Sequence, residues 1–272
     1  MCEMPEIPLS RKDDIIGLEH EKPELVIFMA GNQFMVMREL LSAFSEEYGV
    51  RKIFCETLPP GLMLRQILAG GARFGDRVLP GTPDVYTAVS EEAMKTLVSR
   101  GYTESYRAYL SNRLAIMVAE GNPKGIRSEI DLGRDDVIVS QPSLENEHIA
   151  KYIVEMYREA GGDELVRRIL EEKAKEGKTL FTKVHHRETP ERILKGVADA
   201  GPVWFTEIRH AKAKGLEVDG VNAKHDQSDK VRYYVCVMKK APNPENARAF
   251  EEFLLSRKAA RIFEKYGFVP LV

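Results

Sequence analysis

Apolar residues along this chain come in short unbroken runs that alternate with amphipathic segments. The first run, residues 25–29, is continuous, as in a strand that is buried on both faces. Apolar residues at helical spacing follow it: Met37, Leu40, Leu41 and Phe44. Gly49 is placed to end that helix in the left-handed conformation. The turn at residues 30–33 leaves backbone N–H groups near the positive end of the helix dipole, which favours an anion there.

The same alternation continues and predicts parallel sheets covered by helices. Further strands are predicted at residues 52–55, 83–88, 113–119, 137–140, 180–184, 201–206 and 231–238. Helices are predicted at residues 62–69, 91–99, 145–160, 163–176, 191–198, 245–255 and 257–266. The helix at 145–160 is expected to end at Gly161 and Gly162. This order gives two α/β sets, the second of which spans about residues 111–230.

Composition and charge exclude several classes of protein. Hydrophobic residues make up 43% and charged residues 30% of the 272 positions, which is typical of a soluble protein with a charged surface. The net charge is −2 and there is no polybasic run, so no nucleic-acid partner is expected. No apolar run reaches the length of a membrane span. Residues 1–24 carry no apolar signal-peptide core, so this sequence alone keeps a cytoplasmic location open.

The sequence contains few motifs that indicate catalysis or metal binding. Cys2, Cys55 and Cys236 are too widely separated for a metal-binding pattern, and the last two lie in apolar runs that predict core positions. No GxSxG, HExxH or P-loop pattern occurs. An enzyme would have to use acid and base groups in two loops: Glu145, His185, His186 and Glu188. A few polar loop residues do not make a mechanism, so we predict a protein that is not an enzyme and needs no cofactor.

The end of the chain resembles bacterial and archaeal solute-binding proteins of ABC transporters. Its segment AARIFEKYGFVP, residues 259–270, is similar to the "A..F..Y/KYGF.P" pattern of the molybdate/tungstate-binding branch. Earlier segments follow in the same order: PDVYTA at residues 83–88 resembles the "ADVFxSA" strand, and GPVW at residues 201–204 resembles the "GIVY" strand. The resemblance covers nearly the whole chain from residue 25 onward.

This resemblance implies a type II periplasmic-binding-protein fold. Such a fold has two doubly wound α/β lobes, joined by two crossover strands, that close on a ligand in the cleft between them. We expect lobe I to comprise residues 22–110, completed by residues 234–272, and lobe II to comprise residues 111–233. Residues 1–21 are then an N-terminal extension.

The implied function is capture of a small oxyanion, of the molybdate or tungstate kind, for uptake through an ABC-transporter permease. The resemblance also implies a periplasmic or extracellular location, and we expect a monomer. Two alternatives stay open. One is a cytoplasmic ligand-sensing or carrier protein of the same fold, and the other is a binder of a metal ion or another small polar ligand that uses the His/Glu loops.

In the family, hydroxyls, backbone N–H groups and a tyrosine hold the oxyanion without counter-charges. Carried over position by position, the resemblance nominates Gly31, Asn32, Pro60, Gly61, Glu145, Asn146, Glu188, Thr189 and Trp204. His185 and His186 lie in one of these loops and suit either a metal ion or, when protonated, an anion. The chain departs from the pattern because Asn32 and Pro60 replace hydroxyls and Trp204 replaces the tyrosine. Proline also lacks the N–H group that would donate.

Tyr233 and Tyr234 on the return strand invite comparison with ferric-ion binders, whose adjacent tyrosines ligate iron. Neighbouring residues on a strand point to opposite faces of the sheet, so at most one of the two hydroxyls would face a ligand. We therefore expect no iron site on this strand.

Overall fold

The computed structural model describes residues 3–89, 91–145, 147–183 and 188–271, which form two compact units. The first unit runs to Leu110 and takes up the chain again at Arg232–Lys265 and from Pro270. The second consists of Ser111–Val231 and Tyr266–Val269. Within these ranges, no helix has both the length and the apolar character that a membrane span requires.

A seven-stranded mixed sheet forms the centre of the first unit. In sheet order its strands are β1 (Ile15–Ile16), β3 (Ile53–Glu56), β2 (Leu25–Phe28), β6 (Val85–Ala88), β13 (Tyr233–Val237), β7 (Arg107–Ser111) and β14 (Val269–Pro270). Strands β3, β2 and β6 are parallel, whereas β13 is antiparallel to both β6 and β7. Every residue of β2, β3 and β6 is buried, which for β2 confirms the prediction from its continuous apolar run. Cys55 and Cys236 are core residues, which confirms that prediction.

Helices from both ends of the chain cover this sheet. They are α1 (Met37–Tyr48), α2 (Pro60–Ala69), α3 (Glu91–Ser99), α8 (Pro244–Leu254) and α9 (Arg257–Lys265). Helix α1 ends at Gly49, whose φ of 75° confirms the predicted left-handed cap. The Phe44 ring of α1 lies 5.0 Å from that of Phe250 and 5.5 Å from that of Phe253, centroid to centroid. Helix α8 therefore shares one aromatic core with the first helix.

Two features of the first unit were not predicted from the sequence. A hairpin of β4 (Gly71–Phe74) and β5 (Arg77–Pro80) follows α2, and its four-residue strands give no apolar run to signal them. The N-terminal segment, treated above as an extension, packs on the first unit. Ile7 is buried, its N–H donates to the Arg73 carbonyl at 2.8 Å, and β1 pairs with β3.

The second unit is built on a five-stranded sheet. In sheet order its strands are β10 (Thr179–Phe181), β9 (Val139–Gln141), β11 (Ala200–Trp204), β8 (Leu114–Ala119) and β12 (Val218–Asn222). Strands β10, β9 and β11 are parallel, and β8 is antiparallel to β11 and β12. The helices of this unit are α4 (Ile149–Arg167), α5 (Lys173–Lys175), α6 (Glu188–Leu194) and α7 (Phe205–Ala213).

The helix predicted at residues 145–160 begins later than expected. Glu147 accepts a hydrogen bond from the Ser143 N–H at 3.1 Å and contacts the Thr182 hydroxyl, so this segment is held as a turn and α4 begins at Ile149. Within α4, Gly161 and Gly162 leave helical backbone angles, with φ of −149° and 68°, so two helical stretches meet there at a kink. The predicted separation into two helices at this glycine pair is confirmed.

Lys173 ties a long loop of the second unit to the helical segment after α4. Its side chain is fully buried, and Nζ donates to the carbonyls of Leu132, Arg134 and Val137 at 2.6–2.7 Å. Burial lowers the pKa of this ammonium to about 8, and repulsion from Arg168 adds to the effect. One side chain therefore donates to three carbonyls of this loop, and those of Leu132 and Val137 are bonded in buried surroundings.

Candidate ligand-binding site

In the first unit the nominated residues lie at the carboxyl ends of two parallel strands. Gly31 and Asn32 follow β2, whereas Pro60 and Gly61 open α2 after β3. The strands are neighbours in the sheet, with Phe28 paired to Glu56, so both loops leave the same sheet edge. This edge is where ligands bind in open α/β sheets.

Gly31 lies directly against the loop that precedes α2. A Cβ atom at this position would stand 3.0 Å from the Leu58 carbonyl oxygen and 3.1 Å from the Thr57 carbonyl oxygen. Any larger residue would push the two loops apart, so glycine allows their close approach. The structure thus brings Gly31 together with the loop that leads to Pro60.

Two consecutive carboxamides follow in the 3-10 turn Gly31–Gln33. The Asn32 carboxamide contacts the Tyr233 hydroxyl at 2.5 Å, with Nδ2 as the donor, and its Oδ1 is buried without a hydrogen-bond partner among the described residues. Gln33 is fully buried, and its Oε1 accepts a hydrogen bond from the Tyr109 hydroxyl at 2.9 Å. The Gln33 Nε2 group has no partner in the part of the chain that the structure describes. Sequence reasoning nominated Asn32 and missed Gln33, Tyr109 and the contact with Tyr233.

Thr87, at the end of β6, extends this edge to a third parallel strand. Its side chain is fully buried, and Oγ1 accepts a hydrogen bond from the Ala30 N–H at 2.9 Å. The same hydroxyl lies 3.4 Å from the Gln33 Oε1 atom. Hydroxyl, phenol and carboxamide groups therefore line the edge, and none of them carries a formal charge at neutral pH.

A buried carboxyl group lies beside this edge without adding a negative charge at neutral pH. Glu56 is the last residue of β3, is fully buried, and accepts a hydrogen bond from Gln66 Nε2 at 3.0 Å. Burial raises the pKa of Glu56 to about 8, against the opposing effect of the Gln66 hydrogen bond. Most of this carboxyl is consequently in the neutral, protonated form at pH 7.

The start of α2 offers a backbone donor. Among the described residues no side chain caps this helix, and the N–H groups of Leu62 and Met63 both bond to the Pro59 carbonyl. Pro60 has no N–H group, so the first N–H of the helix belongs to Gly61. Gly61 is exposed, and the Pro60 carbonyl accepts a hydrogen bond from the Tyr86 hydroxyl at 3.1 Å.

In the second unit, Thr189 has a partner inside the fold. It is fully buried at the start of α6, and its hydroxyl lies 2.9 Å from the Ser140 hydroxyl on β9. A Cβ atom on Gly201 of β11 would stand 2.5 Å from the Thr189 methyl carbon. Thr189 therefore contributes to the packing between α6, β9 and β11.

Glu188 is held from two sides. Its Oε1 accepts a hydrogen bond from the Lys183 N–H at 2.9 Å, and its Oε2 accepts one from Arg192 at 3.0 Å. Arg192 also donates to the carbonyls of Leu180 and Phe181 at the end of β10. The positive charge of Arg192 offsets the negative charge of the Glu188 carboxylate, which weakens the repulsion that an isolated glutamate would exert on an anion.

Of the remaining nominated residues, two lie in the described part of the second unit. Glu145 is exposed in the loop after β9. Trp204, at the end of β11, is 2% exposed and its ring lies 5.9 Å from that of Tyr152. The other three nominated positions lie outside the described residues: Asn146, His185 and His186. Within the described ranges, no group of three or more His, Cys, Asp or Glu side chains is arranged to hold a metal ion.

Comparison of the sequence with known families and proteins adds independent information. The profile of the family described as bacterial extracellular solute-binding protein matches residues 25–269. Among curated proteins, the molybdate-binding protein ModA of Mycobacterium tuberculosis is 32% identical over 89 residues. That match covers 31% of this chain and 34% of ModA, so the chain aligns with about a third of the length of this relative.

Solved structures match over most of the chain. The sulfate-binding protein SubI of Mycobacterium tuberculosis superposes with a TM-score of 0.73 at 19% identity, covering 91% of this chain and 86% of SubI. The periplasmic molybdate-binding protein of Azotobacter vinelandii gives a TM-score of 0.69 at 15% identity, covering 90% of this chain and 98% of its own. At these identities the likeness establishes the fold alone, and it confirms the predicted type II periplasmic-binding-protein fold.

Proposed function

This chain belongs to the family of bacterial extracellular solute-binding proteins, and from that premise we propose that it captures a tetrahedral oxyanion for an ABC-transporter permease. Molybdate is the first candidate, because ModA shares 32% identity over the aligned segment. Sulfate, which SubI binds by its name, has the same tetrahedral shape and the same charge of minus two.

The observation that carries this proposal is the uncharged edge of the first unit. Its polar side chains are Asn32, Gln33, Thr87, Tyr109 and Tyr233. The Gly61 N–H at the start of α2 adds a backbone donor at the positive end of a helix dipole. The buried Glu56 carboxyl is mostly neutral at pH 7 because its pKa is raised to about 8. A dianion can be held there by hydrogen bonds alone, without a counter-charge.

A thermal-shift screen with sodium molybdate, tungstate, sulfate and phosphate tests the proposal, with sodium chloride at matched ionic strength as the control. A ligand at one hundred times its Kd stabilises the folded protein by about 2.7 kcal/mol. We expect molybdate or tungstate to raise the melting temperature by several degrees, with titration calorimetry to give the stoichiometry. If zinc or nickel chloride stabilises the protein and no oxyanion does, the metal-binding alternative replaces this one.

The family description also supports a location outside the cytoplasm, and we propose that the protein acts there as a monomer. Fractionation of the source cells would detect the protein in the periplasmic or extracellular fraction. Size-exclusion chromatography with light scattering would give a mass near 30.8 kDa for a monomer.

A further inference from the structure

Two neighbouring carboxamides share an arrangement that the proposed function does not by itself require. Asn32 and Gln33 are consecutive in the turn after β2, and each meets the hydroxyl of a buried tyrosine. Tyr109 on β7 and Tyr233 on β13 come from adjacent strands, since Tyr233 pairs with Leu110. Both phenols are held by the sheet, with exposed fractions of 1% and 0%. Two rigid hydroxyls therefore fix the orientation of two side chains in the turn.

The short contact at Asn32 indicates which amide atom faces the tyrosine. Oxygen and nitrogen of a carboxamide are assigned from their hydrogen-bond partners. The 2.5 Å separation from the Tyr233 hydroxyl lies in the range of O–H···O bonds, about 2.5–3.0 Å, and below that of N–H···O bonds, about 2.7–3.2 Å. The Asn32 amide oxygen is then the atom that faces Tyr233. The buried amide group without a partner becomes the NH₂ group.

Gln33 shows the same pattern directly. Its Oε1 accepts from the Tyr109 hydroxyl at 2.9 Å, whereas its fully buried Nε2 has no acceptor among the described residues. Burial raises the pKa of Tyr109, so its hydroxyl stays protonated and remains a donor. A buried donor without an acceptor is unfavourable, and native proteins keep such groups where a ligand or water completes them.

We propose that Asn32 and Gln33 donate their two NH₂ groups to the bound oxyanion and that Tyr233 and Tyr109 are positioning residues for these donors. This inference rests on the proposed function and deepens it. In place of the hydroxyl donors of the family pattern, the turn supplies carboxamides whose oxygen atoms are turned away from the anion by the two phenols. Without its phenol, a carboxamide can rotate and present its oxygen, which repels the anion.

Titration calorimetry with sodium molybdate, or with whichever oxyanion the screen identifies, tests the inference. A hydrogen bond to a charged group contributes enough that its loss weakens binding by roughly ten- to a hundredfold. We expect Asn32→Ala and Gln33→Met to weaken binding to that extent, and Tyr233→Phe to weaken it about tenfold. Tyr106→Phe is the matched control, since it removes a tyrosine hydroxyl bond to Glu91 in the same unit, and its affinity should stay within twofold of wild type.

A double-mutant cycle separates positioning from a general structural effect. Tyr233→Phe should weaken binding in the wild-type background and have no further effect in Asn32→Ala. In Asn32→Ser the introduced hydroxyl is too short to reach Tyr233. The anion affinity of this variant should therefore not depend on that tyrosine. If the affinity losses of Asn32→Ala and Tyr233→Phe multiply in the double mutant, the positioning role of Tyr233 is overturned.

The outcomes also distinguish the two proposals. If the wild-type protein binds an oxyanion and the affinities of Asn32→Ala and Tyr233→Phe are both within twofold of wild type, this inference is overturned and the proposed function stands. A wild-type protein that binds none of the oxyanions overturns both. Circular dichroism and the melting temperature without ligand identify a variant that has lost its fold, and Asn32→Ser, in a partly exposed turn, then carries the test.

Discussion

Glu56 and Gln66 form a buried pair whose hydrogen bonds depend on one proton. Gln66 Nε2 donates to Glu56 Oε1 at 3.0 Å, whereas Glu56 Oε2 and Gln66 Oε1 are both buried without a partner in the described part of the chain. A proton on Glu56 Oε2 can be donated to Gln66 Oε1, which closes an acid–amide pair with two hydrogen bonds. Glu56→Gln should reproduce this pattern without a titrating group, since an amide carries the same donor and acceptor at every pH.

The magnitude follows from the pKa of the carboxyl group. Burial raises the pKa of Glu56 from its ordinary value of 4.5 to about 8. The folded protein thus binds this proton more tightly than the unfolded chain. The resulting stability is complete below pH 4.5 and is lost as pH rises to about 8. Each pH unit in this interval corresponds to about 1.4 kcal/mol, so the full loss is on the order of 5 kcal/mol.

Melting temperatures of wild type and Glu56→Gln between pH 4.5 and 9 check this reasoning. The two proteins should melt together at pH 4.5, and the variant should melt about 10 °C or more above wild type at pH 9, because 1 kcal/mol shifts the melting temperature by about 2–4 °C. Glu104→Gln, at a glutamate with a side chain 81% exposed, is the control and should follow wild type. A constant difference between Glu56→Gln and wild type across this pH range would refute the raised pKa.

Three further predictions concern buried contacts of the fold. Gly201→Ala places a Cβ atom 2.5 Å from the Thr189 methyl carbon and should destabilise the protein by about 1–3 kcal/mol, measured as a lower urea midpoint; an unchanged midpoint would contradict this packing. Lys173→Met removes the ammonium that donates to the buried carbonyls of Leu132 and Val137 and should cost about 3 kcal/mol, whereas equal melting temperatures would show that the ammonium is dispensable. Asp84→Ala removes the acceptor of the Val26 and Asn243 N–H groups and should lower stability by about 3 kcal/mol; hydrogen exchange at Val26 as slow as in wild type would argue against it.

The strands of the first unit could be predicted because their signal is local. Residues 25–29 and 52–55 were predicted from continuous apolar runs, and the structure has strands at Leu25–Phe28 and Ile53–Glu56. The hairpin Gly71–Phe74 with Arg77–Pro80 gave no such run, since its strands are four residues long and contain polar positions. The start of α4 was predicted too early because Glu147 contacts the hydroxyl of Thr182, which lies 35 residues away.

The candidate site was predictable only in part, for the same reason. The resemblance to the family's ligand-binding pattern nominated Gly31 and Asn32. Gln33 stands next to them but gave no signal, because its partner Tyr109 is 76 residues away along the chain. The hydroxyl that meets Asn32 comes from Tyr233, 201 residues away. Local patterns identify where a loop lies, whereas the partners that orient its side chains depend on the order of strands in the finished sheet.

The order of strands in the first sheet places side by side strands that the ribosome makes at widely separated times. Strand β13 lies between β6 and β7, yet roughly 145 residues separate Ala88 from Tyr233, which take about 7–30 s to translate at about 5–20 residues per second. During that interval the edge of β6 that pairs with β13 lacks its partner strand. All five strands of the second sheet, from Leu114 to Asn222, are made before Tyr233 is. The sheet that starts the chain is therefore the last to receive all of its strands.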